Sequence, residues 1–158
     1  MSIDIERRFS HEHIEEYEDG EIIFKEGDDG RELYIIQEGC VQIKKQSAVG
    51  ELVLIQFERG EFFGDMALLQ SIPRFASAYS KGKSKILILQ PGGFLLKIRR
   101  DPTFAFEMLQ QLSARVKLSS EKFIEAVSSG QMSNNKVQEI LSSIEATSNH
   151  DSDENENK

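Results

Sequence analysis

Short apolar segments separated by glycines fill residues 17–90 and predict a run of β-strands. Apolar and polar residues alternate at Val53, Ile55 and Phe57, which is the period of a half-buried strand. Tight turns are expected at Gly39 and Gly60. No long crossover helix separates the segments, so the strands are predicted to be antiparallel and to form a sandwich or barrel. The predicted strands are residues 21–24, 33–37, 41–44, 52–57, 76–79 and 85–89.

A long helical pattern follows the strands. Asp101 and Pro102 form a helix start signal, with the aspartate as N-cap and the proline in the first turn. Apolar residues then recur at steps of three and four over about 25 residues, which predicts one helix over residues 102–127. A stripe of this length suits a core contact or the seam of a two-stranded coiled coil. Gly130 ends this helix, and residues 136–146 predict a shorter amphipathic one.

The predicted fold class is therefore α+β and mainly β, with an antiparallel barrel flanked by helices. Residues 1–16 are polar with scattered apolar positions and predict a lead-in or a short helix. The main domain covers residues 17–127, with strands to residue 90 and helices from residue 92. A linker and the short helix cover residues 128–146, and residues 147–158 predict a disordered acidic tail.

Composition narrows the classes of function. The chain has 158 residues, enough for one domain, and carries 27 acidic against 19 basic side chains. Its net charge of -8 argues against non-specific binding to nucleic acid. There is neither a secretion signal nor an apolar run of the ~18 residues that a membrane helix needs. With Cys40 as the single cysteine, a reducing, cytoplasmic location is expected. No catalytic set and no metal-ligand spacing occurs, so we expect neither an enzyme nor a metal site.

The chemistry of the chain is concentrated in residues 63–78, between two predicted strands. Gly64 allows close approach of the backbone to a ligand. Asp65 begins a short helical turn whose free N–H groups favour an anion, and its carboxylate can accept a hydrogen bond from a sugar hydroxyl. Arg74, in a loop stiffened by Pro73, can hold a phosphate through two parallel hydrogen bonds. These residue types together describe a nucleotide pocket.

This segment resembles the phosphate-binding cassette of cyclic-nucleotide-binding domains, whose pattern is Phe-Gly-Glu-x-Ala-Leu, a spacer and Arg-x-Ala. The run from Gly20 to Asp28 and the segment from Leu33 to Val41 also resemble the opening strands of that family. The resemblance covers roughly residues 15–127 and implies a β-roll, a jelly-roll-like double-stranded barrel, with N- and C-terminal helices. The matching cassette positions are Gly64, Ala67, Leu68, Pro73, Arg74 and Ala76.

The resemblance implies a role for each cassette position. Arg74 pairs with the cyclic phosphate and Asp65 holds the ribose 2′-hydroxyl. Gly64 and Ala67 supply backbone contacts. Met66, Phe75 and Ala76 complete the predicted ligand-binding set.

The chain departs from the family pattern at two cassette positions. Asp65 stands where the family has glutamate, one methylene longer, and a lost charged hydrogen bond costs ~1.5–3 kcal/mol. Phe75 stands where a small or hydroxyl-bearing residue is usual, and because it cannot donate a hydrogen bond it favours cyclic AMP over cyclic GMP. These departures leave open a second interpretation, in which the fold has lost its ligand and serves as a protein–protein interaction module.

The helix over residues 102–127 resembles the dimer helix of the bacterial catabolite-activator branch of the family. The resemblance makes Ser119 and Ser120 candidate contacts to the base, and the helix a candidate homodimer seam. The sequence has no room for the helix-turn-helix DNA-binding domain of that branch, so direct DNA binding is not expected. The predicted function is a stand-alone cyclic-nucleotide sensor that passes ligand-dependent helix movement to an effector protein.

Overall fold

The computed structural model describes residues 11–153, and side chains as far as Ser143. The chain divides into two compact units, the first reaching Leu109 and the second beginning at Gln110. The strands are β1 (Glu12–Tyr17), β2 (Ile22–Phe24), β3 (Leu33–Ser47), β4 (Gly50–Glu58), β5 (Phe62–Phe63) and β6 (Ser77–Leu89). The helices are α1 (Asp65–Gln70), α2 (Pro91–Arg100), α3 (Pro102–Ser128) and α4 (Asn134–Asp153).

The six strands form one antiparallel sheet in the order β1-β6-β3-β4, with β2 paired to β6 and β5 paired to β3. The two longest strands, β3 and β6, lie side by side, so they carry most of the pairing. The predicted α+β class and the antiparallel arrangement are confirmed.

The core lies between the inward faces of these strands. It includes Ile36, Val41 and Ile86, none of which is more than 1% exposed. Aromatic rings fill the centre, with Tyr34 stacked on Phe63 at 5.0 Å between ring centroids. This dense packing fixes the strands whose ends carry the functional side chains.

The turn predicted at Gly39 is wrong, because Gly39 lies inside β3 at a shift in the register between β3 and β6. Its φ of 89° is left-handed, which glycine adopts freely. An added Cβ would lie 2.6 Å from Ser84 Oγ. The Ser84 hydroxyl bridges back to Cys40, accepting from its N–H and donating to its carbonyl. The glycine therefore forms a β-bulge that lets β3 pass close to β6. The turn predicted at Gly60 is confirmed, with Glu61 N–H donating to the Glu58 carbonyl.

The lead-in or helix predicted for residues 1–16 is wrong for residues 12–16, which belong to β1 and pair with β6. The half-buried face of β1 carries His13, Glu15 and Tyr17 rather than apolar side chains. Glu15 links the other two side chains, since Tyr17 Oη donates to Glu15 Oε2 at 2.8 Å and His13 Nε2 lies 3.2 Å from Glu15 Oε1. A strand buried through polar residues has no apolar alternation to recognise. Residues 1–10 lie outside the described part of the chain.

The helix predicted over residues 102–127 is confirmed as α3. Its N-cap is Asp101, whose side chain accepts from Phe104 N–H at 3.3 Å. The second helix is longer than predicted, because α4 runs from Asn134 to Asp153. The tail predicted as disordered is therefore helical over residues 147–153, where no glycine or proline stops a helix already nucleated. Residues 154–158 lie outside the described part. None of the described helices is both long and apolar enough to cross a membrane.

Candidate functional site

The site is organised around the start of α1, directly after β5. Gly64 precedes this helix with a φ of 83°. A Cβ at Gly64 would lie 2.9 Å from Arg74 Nη1 and 2.9 Å from the Glu32 carbonyl oxygen. Glycine is required there both for the backbone conformation and for the space taken by the arginine.

Arg74 is almost completely buried, with 3% of its surface exposed. Its Nη1 donates to the carbonyl oxygens of Gly64, at 3.2 Å, and Glu32, at 3.1 Å. Its Nη2 donates to Glu32 Oε2 at 2.9 Å. The Glu32 side chain is 30% exposed, so this ion pair is buried on the arginine side and partly hydrated on the carboxylate side. A buried cation held by carbonyl oxygens and one carboxylate is a centre at which an anion can bind.

Two aromatic rings support the guanidinium. The Arg74 Cζ lies 4.4 Å from the centroid of the Phe24 ring and 5.3 Å from that of Tyr34. Both distances are within the range of a cation–π interaction. Burial raises the pKa of Tyr34 to about 12, although the charge of Arg74 opposes this shift. The rings hold the arginine without neutralising its charge.

The backbone on either side of Arg74 is tied to the turn that follows β2. Arg74 N–H donates to the Asp28 carbonyl at 2.9 Å, and Gly27 N–H donates to the Arg74 carbonyl at 2.8 Å. Glu26 N–H donates to Ser77 Oγ at 2.8 Å. The segment from Arg74 to Ser77 is thus held as a short ladder beside residues 26–28.

Phe75 projects outward beside this ladder and is 47% exposed. The Lys45 ammonium lies 4.2 Å from the centroid of its ring and donates to the Phe75 carbonyl at 2.6 Å. Ala76 is buried, as is Ala67 of α1. Met66 is partly exposed on the first turn of α1.

The structure brings one part of the predicted set together. Gly64, Asp65, Met66 and Ala67 are consecutive at the start of α1, and the hydrogen bond from Arg74 to Gly64 joins them to the second half of the set. The roles of Asp65 and of the backbone contacts stay predictions.

The candidate base contacts Ser119 and Ser120 belong to the second unit. Both side chains are exposed, and Ser120 Oγ donates to the Val116 carbonyl of its own helix at 2.9 Å. Their contact with a base stays a prediction.

Several residues of this site were missed by the sequence reasoning. Glu32, Phe24 and Tyr34 surround Arg74, and Lys45 with Glu26 holds Phe75. Three of these five, Phe24, Glu26 and Tyr34, lie within the two opening runs that resemble the family, which was the available signal. Nothing in the linear sequence pairs Lys45 with a loop 30 residues away.

Comparison with known proteins identifies the family of this fold. The family model described as "Cyclic nucleotide-binding domain" matches residues 14–101. The chain is 38% identical over 69 residues to a cAMP-dependent protein kinase regulatory subunit from Mycosarcoma maydis, covering 44% of this chain and 13% of that protein.

Two solved structures of bacterial regulators share the fold. The Thermus thermophilus catabolite activator protein aligns with a TM-score of 0.63 and 30% identity over 81% of this chain and 60% of its own. The c-di-GMP-responsive regulator CLP of Xanthomonas campestris aligns with a TM-score of 0.66 and 26% identity over 78% of this chain and 63% of its own. The chain thus spans less than two thirds of each of these relatives. With more than half of its residues matched by the family model, the chain belongs to the cyclic nucleotide-binding domain family.

Proposed function

We propose that this chain is a regulatory protein that binds a cyclic nucleotide, cyclic AMP in the first place, at the site centred on Arg74. The observation that carries the proposal is the buried guanidinium of Arg74, held between the Gly64 carbonyl and Glu32 beside the start of α1. A cation kept out of water is a strong partner for a phosphate, because little of the attraction is lost to solvent. The name of the related kinase regulatory subunit, which is cAMP-dependent, adds support.

The proposed binding mode gives each side chain a task. Arg74 binds the cyclic phosphate. Glu32, whose side chain is more exposed, gives up part of its contact with Arg74 when the ligand binds. Gly64 and Ala67 present backbone groups at the start of α1, and Asp65 accepts from the ribose 2′-hydroxyl. Met66 and Ala76 line the cassette around these contacts.

The preference for cyclic AMP over cyclic GMP rests on Phe75. Its side chain has no hydroxyl to offer a guanine, and its ring is occupied by Lys45. A site that lacks a hydrogen-bond partner for a polar group of the ligand binds that ligand less tightly.

We propose that ligand binding moves α2 and α3 and that this movement is transmitted to an effector protein. The protein is proposed to act in the reducing environment of the cytoplasm. A ligand shifts such an equilibrium only by its difference in affinity for the two arrangements. We propose neither catalysis nor direct reading of DNA.

The α3 helix is proposed to form the seam of a homodimer. Leu109 and Val116 are seven residues apart on this helix, and both are exposed. Seven residues is the repeat of a two-stranded coiled coil. Sedimentation equilibrium of the parent and of Val116→Glu tests this: the parent is expected to dimerise and the variant to be monomeric, whereas a monomeric parent contradicts the seam.

The function is tested by isothermal titration with cyclic AMP, cyclic GMP and cyclic di-GMP, with non-cyclic AMP as the control. We expect micromolar or tighter binding of cyclic AMP, weaker binding of cyclic GMP and a rise in melting temperature that follows the affinity. Preference for cyclic di-GMP would redirect the proposal to the ligand named for the Xanthomonas regulator. Binding of none of the three would favour the interaction module, whose fold is retained without a ligand.

A further inference from the structure

We propose that Lys45, together with Glu26, is a positioning residue that sets the affinity of the Arg74 site without touching the ligand. The inference rests on the proposed function, because it concerns the regulation of that same site. It assigns a role to a lysine of β3 that the cassette pattern does not contain.

Lys45 makes three contacts, two with Phe75 of the cassette and one with Glu26 in the turn after β2. Its Nζ donates to Glu26 Oε1 at 2.6 Å and to the Phe75 carbonyl at 2.6 Å, and it lies 4.2 Å from the centroid of the Phe75 ring. Glu26 Oε2 accepts in turn from Gln46 N–H at 3.3 Å. The hydrogen bond from Lys45 holds the pKa of the Glu26 carboxyl below its usual range, so the carboxylate stays charged opposite the ammonium.

These contacts fix the orientation of peptide units beside Arg74. The C=O and N–H of a trans peptide point in opposite directions, so holding one sets the other. Gly27 holds the Arg74 carbonyl and so sets the direction of the Phe75 N–H, while Lys45 holds the Phe75 carbonyl and so sets that of the Ala76 N–H. The first anchor is a backbone group, whereas the second is a side chain that a substitution can remove.

The ion pair between Lys45 and Glu26 also holds the segment from Arg74 to Ser77 against β3. Lys45 and Glu26 are about equally exposed, at 30% and 31%, and their carbon chains run between β3 and the turn after β2. A long side chain held by three contacts to two residues has already lost its rotamer freedom, so the binding segment is ordered before the ligand arrives. Without Lys45, the ligand must order Phe75 and its neighbours itself.

The chain offers a matched control in the adjacent lysine. Lys44 Nζ lies 3.3 Å from Glu51 and 4.7 Å from the centroid of the Tyr79 ring. It thus has one acidic and one aromatic partner, as Lys45 has, and a similar exposure of 25%. Neither of these two partners belongs to the cassette.

The experiment is isothermal titration of cyclic AMP into the parent, Lys45→Met and Lys44→Met, with melting temperatures measured on the same samples. We expect Lys45→Met to bind roughly tenfold more weakly and Lys44→Met to bind within about twofold of the parent, because only the first loses a charged contact to the cassette. Lys45→Arg, which keeps the donors and the charge, is expected to recover most of the affinity.

A second variant separates positioning from simple loss of stability and decides the matter if Lys45→Met does not fold. Glu26→Gln is expected to weaken binding by roughly threefold, and its effect is expected to vanish in the Lys45→Met background because the two residues act as one unit. In a parent that binds, unchanged affinity in Lys45→Met overturns this inference alone, and so does unchanged affinity in Glu26→Gln where Lys45→Met does not fold. A parent that binds no cyclic nucleotide overturns the inference and the proposed function together.

Discussion

Replacing Arg74 with methionine separates the two tasks assigned to this side chain. The substitution keeps much of the apolar volume and removes the charge, along with hydrogen bonds to the Gly64 carbonyl, the Glu32 carbonyl and Glu32 Oε2. Breaking one side of a buried ion pair costs about 3–5 kcal/mol, but the Glu32 carboxylate is 30% exposed and water recovers part of that cost. We therefore expect a loss of about 2–3 kcal/mol in the free energy of unfolding.

The same change removes the proposed partner of the phosphate. Two charge-assisted hydrogen bonds to a ligand are together worth ~3–6 kcal/mol, so the affinity for cyclic AMP is expected to fall by more than about a hundredfold. Arg74→Met/Glu32→Gln is expected to regain about 1 kcal/mol of stability, because no carboxylate is then left without its cation. It is not expected to regain affinity.

Urea denaturation measures the first effect and isothermal titration the second. Arg59→Met is the matched control, since Arg59 is an exposed arginine in the turn before β5, and it is expected to change the free energy of unfolding by no more than about 0.5 kcal/mol. Cyclic AMP binding within threefold of the parent in Arg74→Met would refute the phosphate assignment. Loss of binding with unchanged stability would instead refute the argument from the ion pair and the carbonyl oxygens.

Two further predictions concern the fold that carries the site. Gly39→Ala is expected to lower the free energy of unfolding by about 3 kcal/mol or more, because its Cβ would lie 2.7 Å from the Ser84 Cα at a φ of 89°. Gly20→Ala is the control, since Gly20 has a φ of 76° and open space around the added Cβ, and it is expected to lose only about 1 kcal/mol in the same urea denaturation. Equal losses in the two variants would contradict the argument that Gly39 forms a bulge. Burial raises the pKa of Tyr34 to about 12 from 10.0, so between these values the folded protein keeps a proton that the unfolded chain loses, and stability is expected to fall as the pH rises. Tyr34→Phe is expected to make that fall shallower, and an unchanged slope between pH 10 and 12 would argue against it.

The elements that the sequence predicted well are those whose signal is local. The alternation around Val53 and Ile55 marks β4, and the Asp101 cap with its following stripe marks α3. The Gly64 turn and Arg74 could be placed in one cassette because their spacing along the chain is short. In each case a few neighbouring residues carry the information, either as a hydrophobic period or as a capping residue.

The elements that were missed depend on what faces them in the folded chain. The buried face of β1 is polar, and its residues become acceptable in a strand only because Tyr17 and Glu15 bond to each other. The local sequence around Gly39 predicts a turn, and only the folded chain shows that Ser84 of β6 lies beside it. In the sequence Lys45 is simply one of two adjacent lysines, and the register of β3 decides which of them contacts the cassette.

The arginine site is for the same reason a property of the whole sheet rather than of the cassette alone. A guanidinium can be buried only where its donors find oxygens and its faces find aromatic rings. Here the oxygens come from Glu32, ahead of β3, and from Gly64, ahead of α1. The rings come from Phe24 of β2 and Tyr34 of β3, and both pack against Phe63 in the core. Because the residues that hold Arg74 also hold the strands together, a change that loosens this part of the core is expected to weaken ligand binding even when every cassette residue is intact.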